Sequence, residues 1–320
     1  VPCYSPLKGF QDKETGGIVF KRSKSAGPEM EVACGQCLGC RLDRSRTWAM
    51  RIVHESSLYD DNCFITLTYD PEHLPRDGSL NKKHFQDFMK RLRKRFPDRR
   101  IRYYHCGEYG DQLERPHYHA CLFNLQFPDL DPVGFAADDS PLFTSKILED
   151  TWGKGFVTVG DLTFESAAYC ARYILKKVNG ARSEDHYKRL QISPYGEILG
   201  EVQLEPEYTT MSRGRPCKEH KTIDPDCDKC QGGIGRKWYE RYKDDLWPSD
   251  EVPVPSKGVF KKVPRYYEDV LRERDPELHE RIKAERQKFR LDNKEEYSPE
   301  RLMDKYKVKK AQVGMLKRTV

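Results

Sequence analysis

His117 and His119 stand one residue apart in His117–Phe123, a run whose aromatic and apolar residues read as a β-strand. Side chains at i and i+2 of a strand share a face, so the two imidazoles project together while Tyr118 and Ala120 turn the other way. Imidazoles held that close on a rigid strand are a pair of ligands for a divalent metal ion. Glu108 ends a second β-like run, Tyr103–Glu108, joined to the first by a polar turn with Gly107, Gly110 and Pro116. Antiparallel pairing of the two runs returns Glu108 to the same face as a third, anionic ligand. Without that pairing, the segment is an amphipathic strand with solvated histidines.

A second set of reactive groups lies in Tyr169-Cys-Ala-Arg-Tyr173-Ile-Leu-Lys176-Lys177. Tyrosines four apart share one helix face, and lysines a turn later can lower a phenol's pKa or hold a phosphate. The same spacing also serves ordinary core packing. A third set is Cys217-x2-His220 followed by Cys227-x2-Cys230, four soft ligands in two close pairs, which suits a structural zinc knuckle. Cys34, Cys37 and Cys40 cluster near the start, with Cys3 the only other cysteine in that stretch. Three thiols lack a fourth ligand, so the run reads as a turn leading into a helix, with zinc as the alternative.

The elements that must position these groups follow from periodicity and punctuation. Asn62–Tyr69 alternates β-branched and aromatic residues and reads as a strand, broken by Pro71 and Pro75. Ser79 or Asn81 can cap a helix to Arg95, with Leu80, Phe85, Phe88, Met89 and Leu92 at helical spacing. Its basic end, Lys90–Arg95, is either a solvated face complementing the helix dipole or a phosphate-contacting surface. Cys40–Tyr59 is also helical, its Arg41, Arg44, Arg46 and Arg51 read as solvated, with phosphate contact by some of them as the alternative. Asn124–Phe143 reads as a Pro- and Asp-rich loop, 145–152 as a helix ended by Gly153 and Gly155, Phe156–Val159 as a strand and Glu165–Val178 as a helix.

The resulting order predicts an α+β fold: a ferredoxin-like, split βαβ antiparallel sheet with helices on one face and the other open for a site. Residues 1–60 form an N-terminal extension with the cysteine cluster and a helix, with one hairpin at most in 1–33. Residues 61–180 form the core. An irregular region, 181–256, holds the knuckle at 217–230 and a strand pair around Gln191–Tyr208. A charged helical tail, 257–320, has helical pieces at Tyr266–Leu271, Glu277–Leu291 and Pro299–Tyr306.

Composition constrains the function. Charged residues make up 34% of the 320 and hydrophobic ones 37%, low for one compact core. No apolar run is long enough to span a membrane, and no basic segment followed by an apolar stretch marks an export signal. Eleven cysteines, an odd number, suit thiols or metal ligands better than a disulfide framework. Residues 257–320 carry 19 Lys/Arg against 12 Asp/Glu, hence +7, which leaves −1 of the total +6 for the rest. Net charge alone therefore argues weakly for nucleic acid; local basic clusters argue better.

FITLTYD at Phe64–Asp70, RPHYHACLF at Arg115–Phe123 and YCARYILKK at Tyr169–Lys177 resemble, in order and spacing, the three motifs of the HUH endonucleases that initiate rolling-circle replication. CGQCLGC, GEYG, RPHYH, MSRG and GGIG are similar to segments of the replication-associated proteins of gokushovirus-type microviruses. The resemblance implies that 61–180 is an HUH nuclease core, with His117, His119 and Glu108 binding Mg²⁺ or Mn²⁺. It further implies that Tyr169 and Tyr173 are nucleophiles assisted by Lys176 or Lys177. Its substrate would be single-stranded DNA at an origin, its partners host helicase and polymerase, its location the cytoplasm of an infected bacterium, with no membrane role. Two other readings remain: a single-stranded nucleic acid binder without catalysis, and a two-histidine, one-carboxylate oxygenase.

Overall fold

The histidine-bearing strand lies inside a seven-stranded sheet in this computed structural model, which describes residues 2–15, 17–110, 113–136, 139–172, 177–178, 182–192, 198–224, 227, 229–247 and 249–315. Strands β1 (Leu7–Asp12), β2 (Ile18–Val19) and β3 (Ala26–Val32) precede helix α1 (Leu38–Ser56). Next come β4 (Asn62–Thr68), α2 (Lys82–Arg95), β5 (Arg102–Tyr109) and β6 (Pro116–Phe123). β7 (Leu130–Phe135) and β8 (Pro141–Ser145) lead into α3 (Lys146–Trp152), β9 (Val157–Gly160) and α4 (Phe164–Arg172). Beyond lie α5 (Arg182–His186), β10 (Lys188–Ile192), β11 (Ile198–Gln203), β12 (Tyr208–Met211) and α6 (Arg236–Leu246). The chain continues through β13 (Glu251–Val254), β14 (Gly258–Lys261), α7 (Arg265–Arg274), α8 (Pro276–Asp292) and α9 (Pro299–Met315).

Two compact units result: the described residues of Val1–Ser45 with Leu271–Arg318, and those of Arg46–Val270. In the first, β2-β1-β3 is an antiparallel sheet, Arg290 of α8 pairs with Glu31 of β3, and Tyr306 of α9 meets Tyr4 edge-on at 5.5 Å. Asp275 caps α8 by accepting from the Leu278 N–H, with Pro276 at the first helical position.

The second unit holds the large sheet, ordered β12-β5-β6-β4-β9-β8-β7, with every pair antiparallel. Its centre, β5-β6-β4-β9, has α2 connecting β4 to β5 and α3 leading into β9, which is the split βαβ connectivity. One face packs on α2 and α3. Phe85, Phe88, Met89 and Leu92 of α2, with Leu148 and Trp152 of α3, bury against Ile65, Leu67, Tyr118, Ala120 and Val159. Each Val, Leu, Ile, Phe or Met side chain among them contributes about 1.5–3 kcal/mol by leaving water. Local signals set the ends of these helices. Asn81 accepts from the Lys83 N–H, Ser145 accepts from the Leu148 N–H, and Gly153 closes α3 in the left-handed conformation at φ 58°. Of the basic residues at the end of α2, Arg91 donates to the carbonyls of Thr151 and Trp152, so it caps α3.

Several sequence-based expectations are corrected. The sheet does not keep one face open: Trp48 of α1 packs on Tyr104 at 5.0 Å, and α4 covers β5 and β6. Tyr104, Cys106 and Cys121 on that face are fully buried, and apolar surface of that extent needs a cover. Residues 1–33 make three strands rather than one hairpin, and the supposed loop Asn124–Phe143 contains β7 and the start of β8. The region 181–256 is not irregular, for β12 joins the main sheet against β5 and α6 buries Trp238 and Tyr239. Arg51 is not solvated: its guanidinium lies between the Trp48 and Tyr266 rings, 4.1 and 4.0 Å from their centroids, and donates to the Ile234 carbonyl. The glycine loop there is held from three sides, because Arg102 donates to Gly232 O at 3.0 Å and Glu55 accepts from Gly235 N at 2.7 Å. Gly235 sits at φ 79°, and a Cβ there would lie 2.4 Å from the Tyr267 hydroxyl.

Candidate metal centre and adjoining tyrosine

β5 and β6 form a hairpin in which Glu108 stands directly opposite His117, and Cys106 opposite His119. Strand alternation therefore places Glu108, His117 and His119 on one face, the face covered by α4. The three donor atoms lie within 4.8 Å of one another. Glu108 Oε1 is 2.8 Å from His117 Nε2 and 3.1 Å from His119 Nε2. All three residues are buried, the carboxylate at 1% exposure.

The outer nitrogens are held in turn. His117 Nδ1 is 3.1 Å from the Arg115 carbonyl, and His119 Nδ1 is 2.9 Å from Thr66 Oγ1 on β4. A carbonyl only accepts, so His117 Nδ1 carries a hydrogen, and Nε2 faces the carboxylate either as a protonated donor or as a lone pair. Two acceptors at 2.8 Å are held together by a cation between them, a proton or a metal ion. The donor set thus fits a divalent ion, with an oxygen and two imidazole nitrogens as ligands. Burial alone pushes the Glu108 carboxyl up, but the bonds from His117 and His119 outweigh it and hold it down to about 2. Glu108 is therefore an anion at any physiological pH.

Tyr169, on α4, lies beside this cluster. Its ring meets His119 edge-on at 5.1 Å and Phe64 at 6.2 Å, while Phe64 stacks on His119 at 5.6 Å. Arg172, one turn on, has its guanidinium 6.0 Å from the Tyr169 ring. Tyr173 and Lys176 lie outside the described residues, and Lys177 is half-buried just beyond them. Thr66 and Phe64 were not singled out from the sequence; their signal was the alternation in FITLT, which puts both on the histidine face of β4.

Cys217, His220, Cys227 and Cys230 also converge within 4.8 Å. Cys217 Sγ is 3.9 Å from Cys227 Sγ and 3.2 Å from His220 Nδ1, and Cys230 Sγ is 3.5 Å from the same nitrogen. A tetrahedral zinc with bonds of ~2.3 Å to sulfur and ~2.0 Å to nitrogen requires edges of ~3.5–3.8 Å, so the set fits that ion. Asp224 lies 3.3 Å from His220 Nε2, which keeps Nδ1 turned to the sulfurs, and a bridge between Arg215 and Gln231 closes the base of the loop.

Residues 62–178, which hold this site, match the family model described as replication-associated protein ORF2/G2P. The chain is 33% identical over 285 residues to replication-associated protein VP4 of Bdellovibrio phage phiMH2K, covering 86% of this chain and 78% of that one. It is 36% identical over 287 residues to replication-associated protein ORF2 of Spiroplasma virus 4, with 83% and 79% covered. Replication-associated protein ORF4 of Chlamydia phage 1 is 33% identical over 154 residues, 46% of this chain and 38% of that one. No solved structure matches the chain. On the length and identity of these matches, the chain belongs to the family of phage replication-associated proteins.

Proposed function

We propose that the chain is an endonuclease of the HUH type, which nicks single-stranded DNA at a replication origin through a tyrosine and rejoins the strand after a round of rolling-circle synthesis. One observation carries this reading: a buried carboxylate and two imidazoles converge on one face, and the Tyr169 ring packs against one of those imidazoles. Glu108, His117 and His119 would hold Mg²⁺ or Mn²⁺. When bound, such an ion supplies Lewis-acid polarisation of the scissile phosphate.

The protein's own groups do the rest. The Tyr169 hydroxyl gives up its proton and attacks phosphorus; the bond from phosphorus to O3′ breaks, and the leaving oxygen takes up a proton. The products are a 5′-phosphotyrosyl protein and a free 3′-hydroxyl. One phosphodiester is exchanged for another, so the step is reversible, and the same centre can reseal the strand. Tyr173 would supply the second hydroxyl for that transfer, and Lys176 or Lys177 would hold the phosphate or lower a phenol's pKa. The free 3′-end would be extended by the host polymerase behind a host helicase. A binder of single-stranded nucleic acid would have no use for a buried carboxylate between two histidines.

The test is incubation with labelled single-stranded origin DNA and Mn²⁺ or Mg²⁺, followed by denaturing electrophoresis. A labelled protein adduct that needs the metal is expected. Binding without any adduct would overturn the reading.

A further inference from the structure

The N-terminal cysteines form a group that the proposed chemistry does not use. Cys34, Cys37 and Cys40 come from the turn into α1 and its first residues, and the fold brings Cys3 to them from 31 residues upstream of Cys34. All four sulfurs lie within 4.8 Å of one another. Cys3 Sγ is 3.6 Å from Cys34 Sγ and 3.9 Å from Cys37 Sγ. Those are the edges of a tetrahedron around an ion with sulfur bonds of ~2.3 Å, and they exceed the ~2.05 Å of a disulfide. They are also too close to enclose several irons that each take one thiolate.

The backbone is built around the sulfurs. The N–H of Tyr4 donates to Cys37 Sγ at 3.4 Å, that of Cys34 to Cys3 Sγ at 3.3 Å, and that of Cys37 to Cys34 Sγ at 3.3 Å. Such donors favour thiolate over thiol. Gly35, at φ 73°, makes the turn between Cys34 and Cys37. At Gly39 a Cβ would lie 2.1 Å from the Pro2 carbonyl, so only glycine lets the segment bearing Cys3 lie against the start of α1. All four cysteines are half-exposed, whereas cysteines used only for packing are mostly buried.

We infer that Cys3, Cys34, Cys37 and Cys40 bind one zinc ion as a closed four-thiolate structural site, separate from the Cys217–Cys230 knuckle. With four protein ligands it leaves no open position, so its work is to staple the N-terminal segment to the head of α1. This accounts for the odd arrangement in which a lone cysteine near the N-terminus complements a three-thiol run.

In a Glu108→Gln background, used throughout to disable the Glu108–His117–His119 centre, the full chain expressed with zinc and purified under reductant should carry about two zinc ions, falling to about one when Cys3→Ser is added. X-ray absorption of the Cys227→Ser variant should show a shell of sulfur alone, at about 2.3 Å. That spectrum guards against a Cys3→Ser chain that merely fails to fold, and neither readout depends on nicking. Should the knuckle bind nothing, one zinc with an all-sulfur shell in the Glu108→Gln chain with all its cysteines intact still supports the site. Iron at the site, two zincs retained in Cys3→Ser, a disulfide joining Cys3 to Cys34 in peptide maps, or a nitrogen-bearing shell as the sole zinc would each overturn it.

Discussion

Cys106 and Cys170 meet Sγ to Sγ at 3.4 Å, and this contact sets the height of α4 over the sheet. Cys170 also approaches the His119 carbonyl at 3.8 Å, so the residue before it, Tyr169, is fixed against the histidine strand. Cys170→Leu should therefore do two separate things. Overpacking should cost about 1–3 kcal/mol of stability. Displacing Tyr169 by about 1 Å should lower adduct formation about 10²-fold. Cys63→Leu, in the core between β4 and α2, should cost similar stability and leave adduct formation within a few-fold. Equal loss of activity in both variants would show that the contact is packing alone.

His119 is turned toward Glu108 by Thr66 on its other nitrogen. Thr66→Val keeps the shape and removes that hydroxyl, so Mn²⁺ affinity should fall about 10- to 100-fold. His117→Ala and Glu108→Gln should go further and leave cleavage at background. Mn²⁺ titration by electron paramagnetic resonance measures the first effect, and undiminished binding in Glu108→Gln would remove the site.

The two tyrosines can be separated by mapping the adduct. Tyr169→Phe and Tyr173→Phe should each retain some covalent product, since one hydroxyl remains, while the double variant forms none. Each single variant should fail to transfer a held 5′ end to a second strand. DNA attached at any other residue would assign α4 to packing.

A pH dependence follows from His54. The Pro253 carbonyl at 2.9 Å accepts from Nε2, so Nδ1 accepts from the Tyr267 hydroxyl at 2.9 Å and the ring is neutral, stacked on Trp238 at 3.5 Å. Burial, ahead of the nearby Arg51 charge, lowers its pKa to about 4 from 6.5. The unfolded chain thus takes up this proton first. The contribution is complete above pH ~6.5 and fades as the pH falls toward ~4, a loss of about 3 kcal/mol. Denaturant unfolding of His54→Gln should show a correspondingly shallower decline over that interval, and parallel curves for the two proteins would refute it.

Cys227→Ser should release about one zinc and increase hydrogen exchange around residues 212–235 while leaving the sheet protected, because all four ligands are local. Loss of protection in β4 and β6 as well would show that the knuckle supports the whole unit.

The convergence of Glu108, His117 and His119 on one face was legible because period-two spacing and a short hairpin settle which side chains share a face. Helices α2 and α3 were legible for similar local reasons, Asn81, Ser145 and Gly153 acting within one turn. What escaped was non-local or unpatterned. β7 carries Pro132 and is exposed along most of its length, so it shows no alternation, and proline at a sheet edge is tolerated where a central strand would reject it. Arg51 looked like one of four solvated arginines because its acceptor, the Ile234 carbonyl, lies 183 residues away. Nothing in the spacing of Cys34, Cys37 and Cys40 pointed to Cys3. The cover over the histidine face was missed because Tyr104 and Cys106 read as strand residues of either face until the register was known.

The β5–β6 hairpin has a kinetic consequence. Glu108 reaches His117 across nine residues and His119 across eleven, whereas β12 must return over a hundred residues to cover the outer edge of β5. Short loops close first, because closure entropy grows with the length enclosed. Glu108, His117 and His119 can thus come together while β5 still has an unpaired edge, which leaves a nascent chain with this cluster formed and one strand open to the wrong partner.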